Sequence, residues 1–106
     1  MNNLIYLIGR LQDDPQKEND KVIMNLKCTR NYKNEDGIYE EDLIQVSAYN
    51  GIAEHTLEYI HKNDLVGIKG RIQTTKMASG STLEIIVDKL SFLSSQSKEI
   101  NEELEK

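Results

Sequence analysis

An all-β fold, a five-stranded antiparallel barrel with one α-helix between strands 3 and 4, follows from three features of this sequence. Five segments of strand length alternate apolar and polar residues or run apolar throughout. One segment alone repeats its apolar residues at helical spacing, and turn-forming clusters separate the pieces. Parallel α/β folds need a helical crossover between most strands, which a single helix cannot supply.

The first strand, residues 4–11 (LIYLIGRL), has Leu4, Tyr6 and Ile8 on one face and Ile5, Leu7 and Leu11 near the other. A lone barrel would leave one face wet, so the second face is expected to be covered by another subunit or by the helix. "QDDPQKEND" reads as a polar turn holding the only proline, Pro15. Residues 22–32 set Val22, Met24, Leu26 and Cys28 against Ile23, Asn25, Lys27 and Thr29, the pattern of a half-buried strand. "KNEDG" supplies a hairpin loop with Asp36-Gly37 in turn chemistry. Residues 39–49 form the third strand and end at Asn50-Gly51.

In "IAEHTLEYIHKN", Ala53, Leu57 and Ile60 recur at i, i+4, i+7, the core stripe of a short amphipathic helix that Asn63-Asp64 ends. Strands over 65–77 and 82–93 follow, joined at "ASGS". The order β-β-β-α-β-β is that of an OB-fold. Residues 1–93 are read as this one domain and 94–106 as a short, polar, acidic tail.

Composition narrows the function. The longest apolar run, 4–8, is far short of the roughly 20 residues that cross a bilayer, and no basic-then-apolar leader precedes it, so a cytoplasmic location without membrane association is expected. The single cysteine, Cys28, lies in an alternating apolar stretch and reads as a packed thiol. His55 and His61 stand off the i, i+4 spacing that brings two imidazoles to one metal. No catalytic residue, metal site or cofactor is expected, and the chain is not read as an enzyme.

Charge is uneven. The formal net charge is -5, yet two windows contain no acid: residues 21–34, with Lys21, Lys27, Arg30 and Lys33, and residues 65–83, with Lys69, Arg71 and Lys76. In an OB barrel the second and third strands and the last hairpin line the ligand face, so these windows are expected to converge on a cationic groove that a polyanion feels locally. The bland alternative is that exposed strand positions favour Lys, Arg and Thr. Rings for base stacking are few, at five tyrosines, one phenylalanine and no tryptophan. Tyr32 and Tyr49 end strands and either offer a ring to a base or pack there. Tyr6, Tyr59 and Phe92 read as packing residues, and Tyr39 is assigned neither role.

Four runs, "MNNLIYLIGRLQDDP", "CTRNYKNEDG", "AYNGIAEHTLEYIHKNDLVGIKGRIQTTK" and "EIIVDKLSFL", occur in an order and at intervals that resemble the bacterial single-stranded DNA-binding protein family over about residues 1–93. The resemblance implies sequence-tolerant binding of single-stranded DNA in replication, recombination or repair, by a homo-oligomer, usually a homotetramer with a dimer as the alternative. It places the oligomer contact on the strand of Leu4, Tyr6 and Ile8. It carries the base-stacking positions onto Tyr32, Leu43, Tyr49 and Met77, of which the two tyrosines keep a ring. Lys62 and Lys76 match phosphate-contacting lysines, and Lys27, Arg30, Lys33, Lys69 and Arg71 complete the expected DNA-binding set.

The sequence also departs from that family. Gln45 and Thr75 stand where the pattern often has arginine or another long polar donor, and both the loop after Pro15 and the "ASGS" hairpin are short. A shallower groove with lower affinity is expected. "NEELEK" lacks the acidic tip with aspartates, proline and terminal phenylalanine through which relatives recruit enzymes, so recruitment by the tail is not expected. An alternative function is that of an accessory primosome or replication-restart docking protein with weak DNA binding.

Overall fold

A computed structural model describes residues 3–95, with the side chain of Met77 outside the described set. The expected tail segment 96–106 also lies outside the described residues. Among the described residues, six strands and one helix follow in the order β1 (Ile5–Leu11), β2 (Gln16–Glu18), β3 (Lys21–Lys33), β4 (Tyr39–Tyr49), α1 (Asn50–Tyr59), β5 (Leu65–Met77) and β6 (Gly80–Ser94).

The sheet runs β1-β5-β6-β4-β3-β2, and an added β1–β3 pairing closes five of the strands into a barrel. Closure passes through Arg10↔Lys27 and Leu11↔Leu26. There β1 crosses β3 so closely that a Cβ on Gly9 would lie 2.7 Å from the Lys27 carbonyl oxygen and 2.9 Å from Cys28 Sγ. One contact differs from the antiparallel expectation: β4 and β6 meet in parallel at Ser47↔Ile86. The helix inserted after β4 returns the chain for two more strands, so β6 arrives beside β4 pointing the same way.

The second difference is β2, which the sequence offers as a turn. Gln16, Lys17 and Glu18 are all exposed and pair only through backbone with Ile23, Val22 and Lys21, so no alternation marks the strand. Asn19, at φ 59, makes the tight return into β3.

The interior is filled by the inward residues of the alternating strands, among them Leu11, Val22, Met24, Leu26, Val46, Val66, Ile68 and Val87. Cys28 packs against this cluster, and burial pushes its thiol pKa up. Helix α1 covers one end of the barrel with Ala53 and Thr56, and Ile60 seals the exit. The buried stripe is thus 53, 56 and 60, not 53, 57 and 60: Leu57 is 42% exposed. Thr56 is tolerated inside because its hydroxyl donates to the Ile52 carbonyl at 2.7 Å. The turn out of α1 is fixed by buried Asp64, whose Oδ2 accepts the His61 backbone N–H at 2.8 Å.

Two hairpins run past the packed core. In the β3–β4 turn, the Asn34 side chain accepts the backbone N–H groups of Asp36 and Ile38 at 2.9 and 3.0 Å, with Gly37 at φ 77. In the β5–β6 turn, Met77 pairs with Gly80, which takes φ 131. No helix among the described residues is long and apolar enough to cross a membrane.

Candidate nucleic-acid interface

Strand alternation sorts β3 and β4 into two faces, and cross-strand register decides which side chains meet. On the outer face the pairs are Lys21↔Tyr49, Ile23↔Ser47, Asn25↔Gln45, Lys27↔Leu43 and Thr29↔Glu41. A β-bulge then intervenes before Lys33↔Tyr39. Lysines 21, 27 and 33 therefore each stand opposite a tyrosine or a leucine. The Lys33 ammonium lies over the Tyr39 ring, 5.6 Å from its centroid.

Between this face and the β5–β6 hairpin lies an open groove of about 390 Å³, lined by Ile23, Gln45, Ser47, Thr75, Thr82, Leu83 and Ile85, with Glu18, Lys21 and Glu84. Leu83, at 72% exposure, is the most exposed large apolar side chain described. Gln45 and Thr75, the two positions where the resemblance expects longer donors, both reach the groove.

Glu84 is the electrostatic centre of the groove. Its Oε2 accepts the Tyr49 hydroxyl at 2.7 Å and the Lys21 ammonium at 3.0 Å. Desolvation pushes the Glu84 pKa up, but the bonds from Tyr49, Lys21 and Ser47 outweigh it and hold the carboxyl below its ordinary value. Burial, then the bond to Glu84, raises the Tyr49 phenol, and Lys21's own bond to Glu84 raises its ammonium against a smaller opposing burial effect.

The two acid-free windows are acid-free along the chain but not in space. Arg30 points to the opposite face of the ribbon, where it bonds Asp42 through Nε and Nη2 at 3.0 and 2.9 Å and Glu40 through Nη1 at 2.7 Å. Asp42 is correspondingly lowered in pKa, chiefly by the Arg30 bond. Arg71 is ion-paired with Asp88, the residue added to β6 by the bulge at Lys69/Gly70. With Lys21 held by Glu84, three of the windows' cations are already neutralised. This corrects the expectation of one convergent cationic groove, because neighbouring strands bring carboxylates that the linear order hides.

Lys27, Lys33, Lys62, Lys69 and Lys76 have no carboxylate in ion-pair reach among the described residues. They do not gather in one place. Lys76 sits near the β5–β6 tip opposite Ser81. Lys62 lies past α1, its backbone N–H bonded to Asp14 Oδ1 at 2.8 Å. Lys69 is cross-strand neighbour to Tyr6 and to Lys89, which puts it on the face of β1.

Tyr32 and Tyr49 are also set apart. Tyr49 opposes Lys21 at the base of β3 and Tyr32 is near its tip, roughly 35 Å away along the ribbon at ~3.3 Å per residue. Tyr32 is 62% exposed, whereas Tyr49 is half-buried. Leu43 is exposed beside Lys27, and nothing is described for the Met77 side chain.

A second apolar face carries Tyr6 and Ile8 of β1, at 68% and 64% exposure, beside Gly67, Lys69, Lys89, Ser91 and Leu93 around a hollow of about 460 Å³. Leu4 is likewise exposed, so the first strand is two-faced as its sequence implies. Tyr59 and Phe92, read from the sequence as packing residues, are more than half exposed. Among the described residues no group of His, Cys, Asp and Glu is arranged to hold a metal ion.

The sequence reading passed over Glu84 and Leu83. Within "STLEIIVDKL" the alternation does put Glu84 on the face of Ile86, but nothing in the linear order shows that β4 brings Tyr49 and Ser47 alongside.

The barrel has close counterparts of known structure. The single-stranded DNA binding protein from Thermus aquaticus superposes with a TM-score of 0.76 at 19% identity, over 91% of this chain and 52% of that one. The SSB of Plasmodium falciparum, solved in complex with ssDNA, gives a TM-score of 0.73 at 22% identity, over 89% of this chain and 96% of that one. In sequence, the chain is 29% identical over 109 residues to single-stranded DNA-binding protein B of Bacillus subtilis (strain 168), covering 93% of this chain and 96% of the relative. The family model of the single-strand binding proteins matches residues 1–93, the span that holds the closed barrel, the groove and the two-faced first strand. The chain belongs to the single-strand binding protein family.

Proposed function

We propose that this chain binds single-stranded DNA without regard to sequence, in replication, recombination or repair, along the outer face of the β3–β4 ribbon and beneath the β5–β6 hairpin. The observation that carries this reading is the direct opposition of Lys27 and Leu43, an ammonium with no carboxylate in ion-pair reach among the described residues beside an exposed apolar side chain, on the same ribbon face as Gln45 and Ser47, which line the open groove. A nucleobase loses little by lying on such a surface, and a phosphate finds its cation one strand away. Relatives named for single-stranded DNA binding support the same reading. The work is binding alone, with no chemistry on the strand.

The exposed stripe of Leu4, Tyr6 and Ile8 is assigned to contact between copies of the chain in a homo-oligomer, because a single barrel leaves it uncovered. A second reading, an accessory docking module with weak DNA binding, draws on the carboxylate partners of Lys21, Arg30 and Arg71.

Fluorescence anisotropy of labelled oligo-dT, titrated at several salt concentrations, tests the proposal. Saturable binding that weakens with salt is expected, and affinity no better than millimolar would overturn it in favour of the docking module.

A further inference from the structure

The three lysine couples on the outer face are not equivalent. At Lys21↔Tyr49 both polar groups are tied to Glu84, and at Lys27↔Leu43 the apolar member has no ring. Only at Lys33↔Tyr39 do an aromatic face and an ammonium without a carboxylate partner among the described residues stand together. Tyr39 is 51% exposed. It lies on the same face of β4 as Leu43, because residues two apart on a strand point the same way. The acids Glu40 and Asp42 of this hairpin are drawn to the other face by Arg30, leaving Glu41 as the carboxylate on the outer face between Leu43 and Tyr39.

We infer that Tyr39 and Lys33 form a nucleobase-stacking subsite at the tip of the β3–β4 hairpin, extending the strand's path beyond Leu43. The inference rests on the single-strand binding reading above. In the free protein the Lys33 ammonium covers the Tyr39 ring. On binding, the base takes the ring face and the ammonium swings to the adjoining phosphate, so a cation–π contact is exchanged for one stacking and one charge contact. Placed here, a ring offsets part of what the chain lacks at Leu43, and the Asn34 turn, whose side chain accepts the Ile38 N–H, sets where Tyr39 enters β4.

The chain contains no tryptophan, so Tyr39→Trp introduces a single reporter at the subsite. Titrated with oligo-dT, Y39W is expected to lose emission in step with the anisotropy of labelled DNA. Tyr39→Ala should lower affinity about fivefold or more with an unchanged salt slope, since stacking releases no counterions. Lys33→Ala should reduce the slope by about 0.7, the value for one phosphate on a single strand. Urea midpoints equal to the parent's show that the hairpin variants are folded. Saturating anisotropy with unchanged Y39W emission, or with unchanged affinity in Y39A, would overturn the subsite and leave the proposed function standing. Absence of any anisotropy change in the parent protein would instead overturn the function itself.

Discussion

Tyr49 donates its hydroxyl hydrogen to Glu84 across the parallel β4–β6 junction, and the same carboxylate oxygen accepts Lys21 from β3. Three strands are thereby tied through one atom, and the tie is sensitive to pH. The folded chain holds Glu84 below its ordinary 4.5, so the unfolded chain takes up the proton first as pH falls. Stability from this carboxylate is complete above about pH 4.5 and is lost as pH falls through its lowered folded value. At the alkaline end, Tyr49 and Lys21 are raised from 10.0 and 10.5, so their contributions are complete below those values and are lost as pH rises through the folded ones. Thermal melts across pH should show both limbs, and Glu84→Gln should flatten the acid one.

The same substitution tests whether Glu84 withholds Lys21 from phosphate. A neutral amide still accepts the Tyr49 hydroxyl but no longer neutralises the ammonium. In E84Q the salt slope of oligo-dT binding should steepen by about 0.7, and adding Lys21→Met should cancel the gain. An unchanged slope would mean that Lys21 faces no phosphate.

Barrel closure gives a stability prediction. A methyl group at Gly9 has nowhere to go but into the Lys27 carbonyl and Cys28 Sγ, so Gly9→Ala should cost about 1–3 kcal/mol by urea denaturation. Gly51, with open space around its Cβ position, offers the contrast: G51A should cost much less.

The first strand predicts assembly. Tyr6→Asp places a charge in the middle of the exposed β1 face, and sedimentation should show a smaller species than the parent. A parent-sized particle would move the contact elsewhere. Because Lys69 adjoins Tyr6, Lys69→Glu should weaken oligo-dT binding less than Lys27→Glu does.

At the ribbon tip, Tyr32→Ala is expected to lower affinity for oligo-dT by about 1–3 kcal/mol, whereas Arg30→Ala should have a smaller effect, since its guanidinium is committed to Asp42 and Glu40. Equal effects from the two variants in a binding titration would mean that Arg30 leaves Asp42 and Glu40 to contact the strand.

Most of the fold could be read from the chain because its strands alternate cleanly. The span 65–77 was placed to the residue, and Val22, Met24 and Leu26 face the core as their spacing requires. What escaped was set by partners remote in sequence. The strand β2 is held by backbone bonds to β3, and Thr56 replaces Leu57 in the core because the helix is rotated to bury Ala53 and Ile60. For the interface, residue types pointed to the right strands, but pairings such as Arg30 with Asp42 and Arg71 with Asp88 reassign the charge, and only register reveals them.

The β3–β4 ribbon outruns the interior that supports it: Val22 to Leu26 are backed by packed side chains, while from Thr29 outward the ladder is largely exposed. Its end can therefore open by fraying while the closed barrel stays intact, a sub-global event well below the free energy of complete unfolding. Amide hydrogens near Tyr32 should exchange with solvent much sooner than those near Met24. A strand threading along the ribbon would meet a yielding arm first and an unyielding wall second.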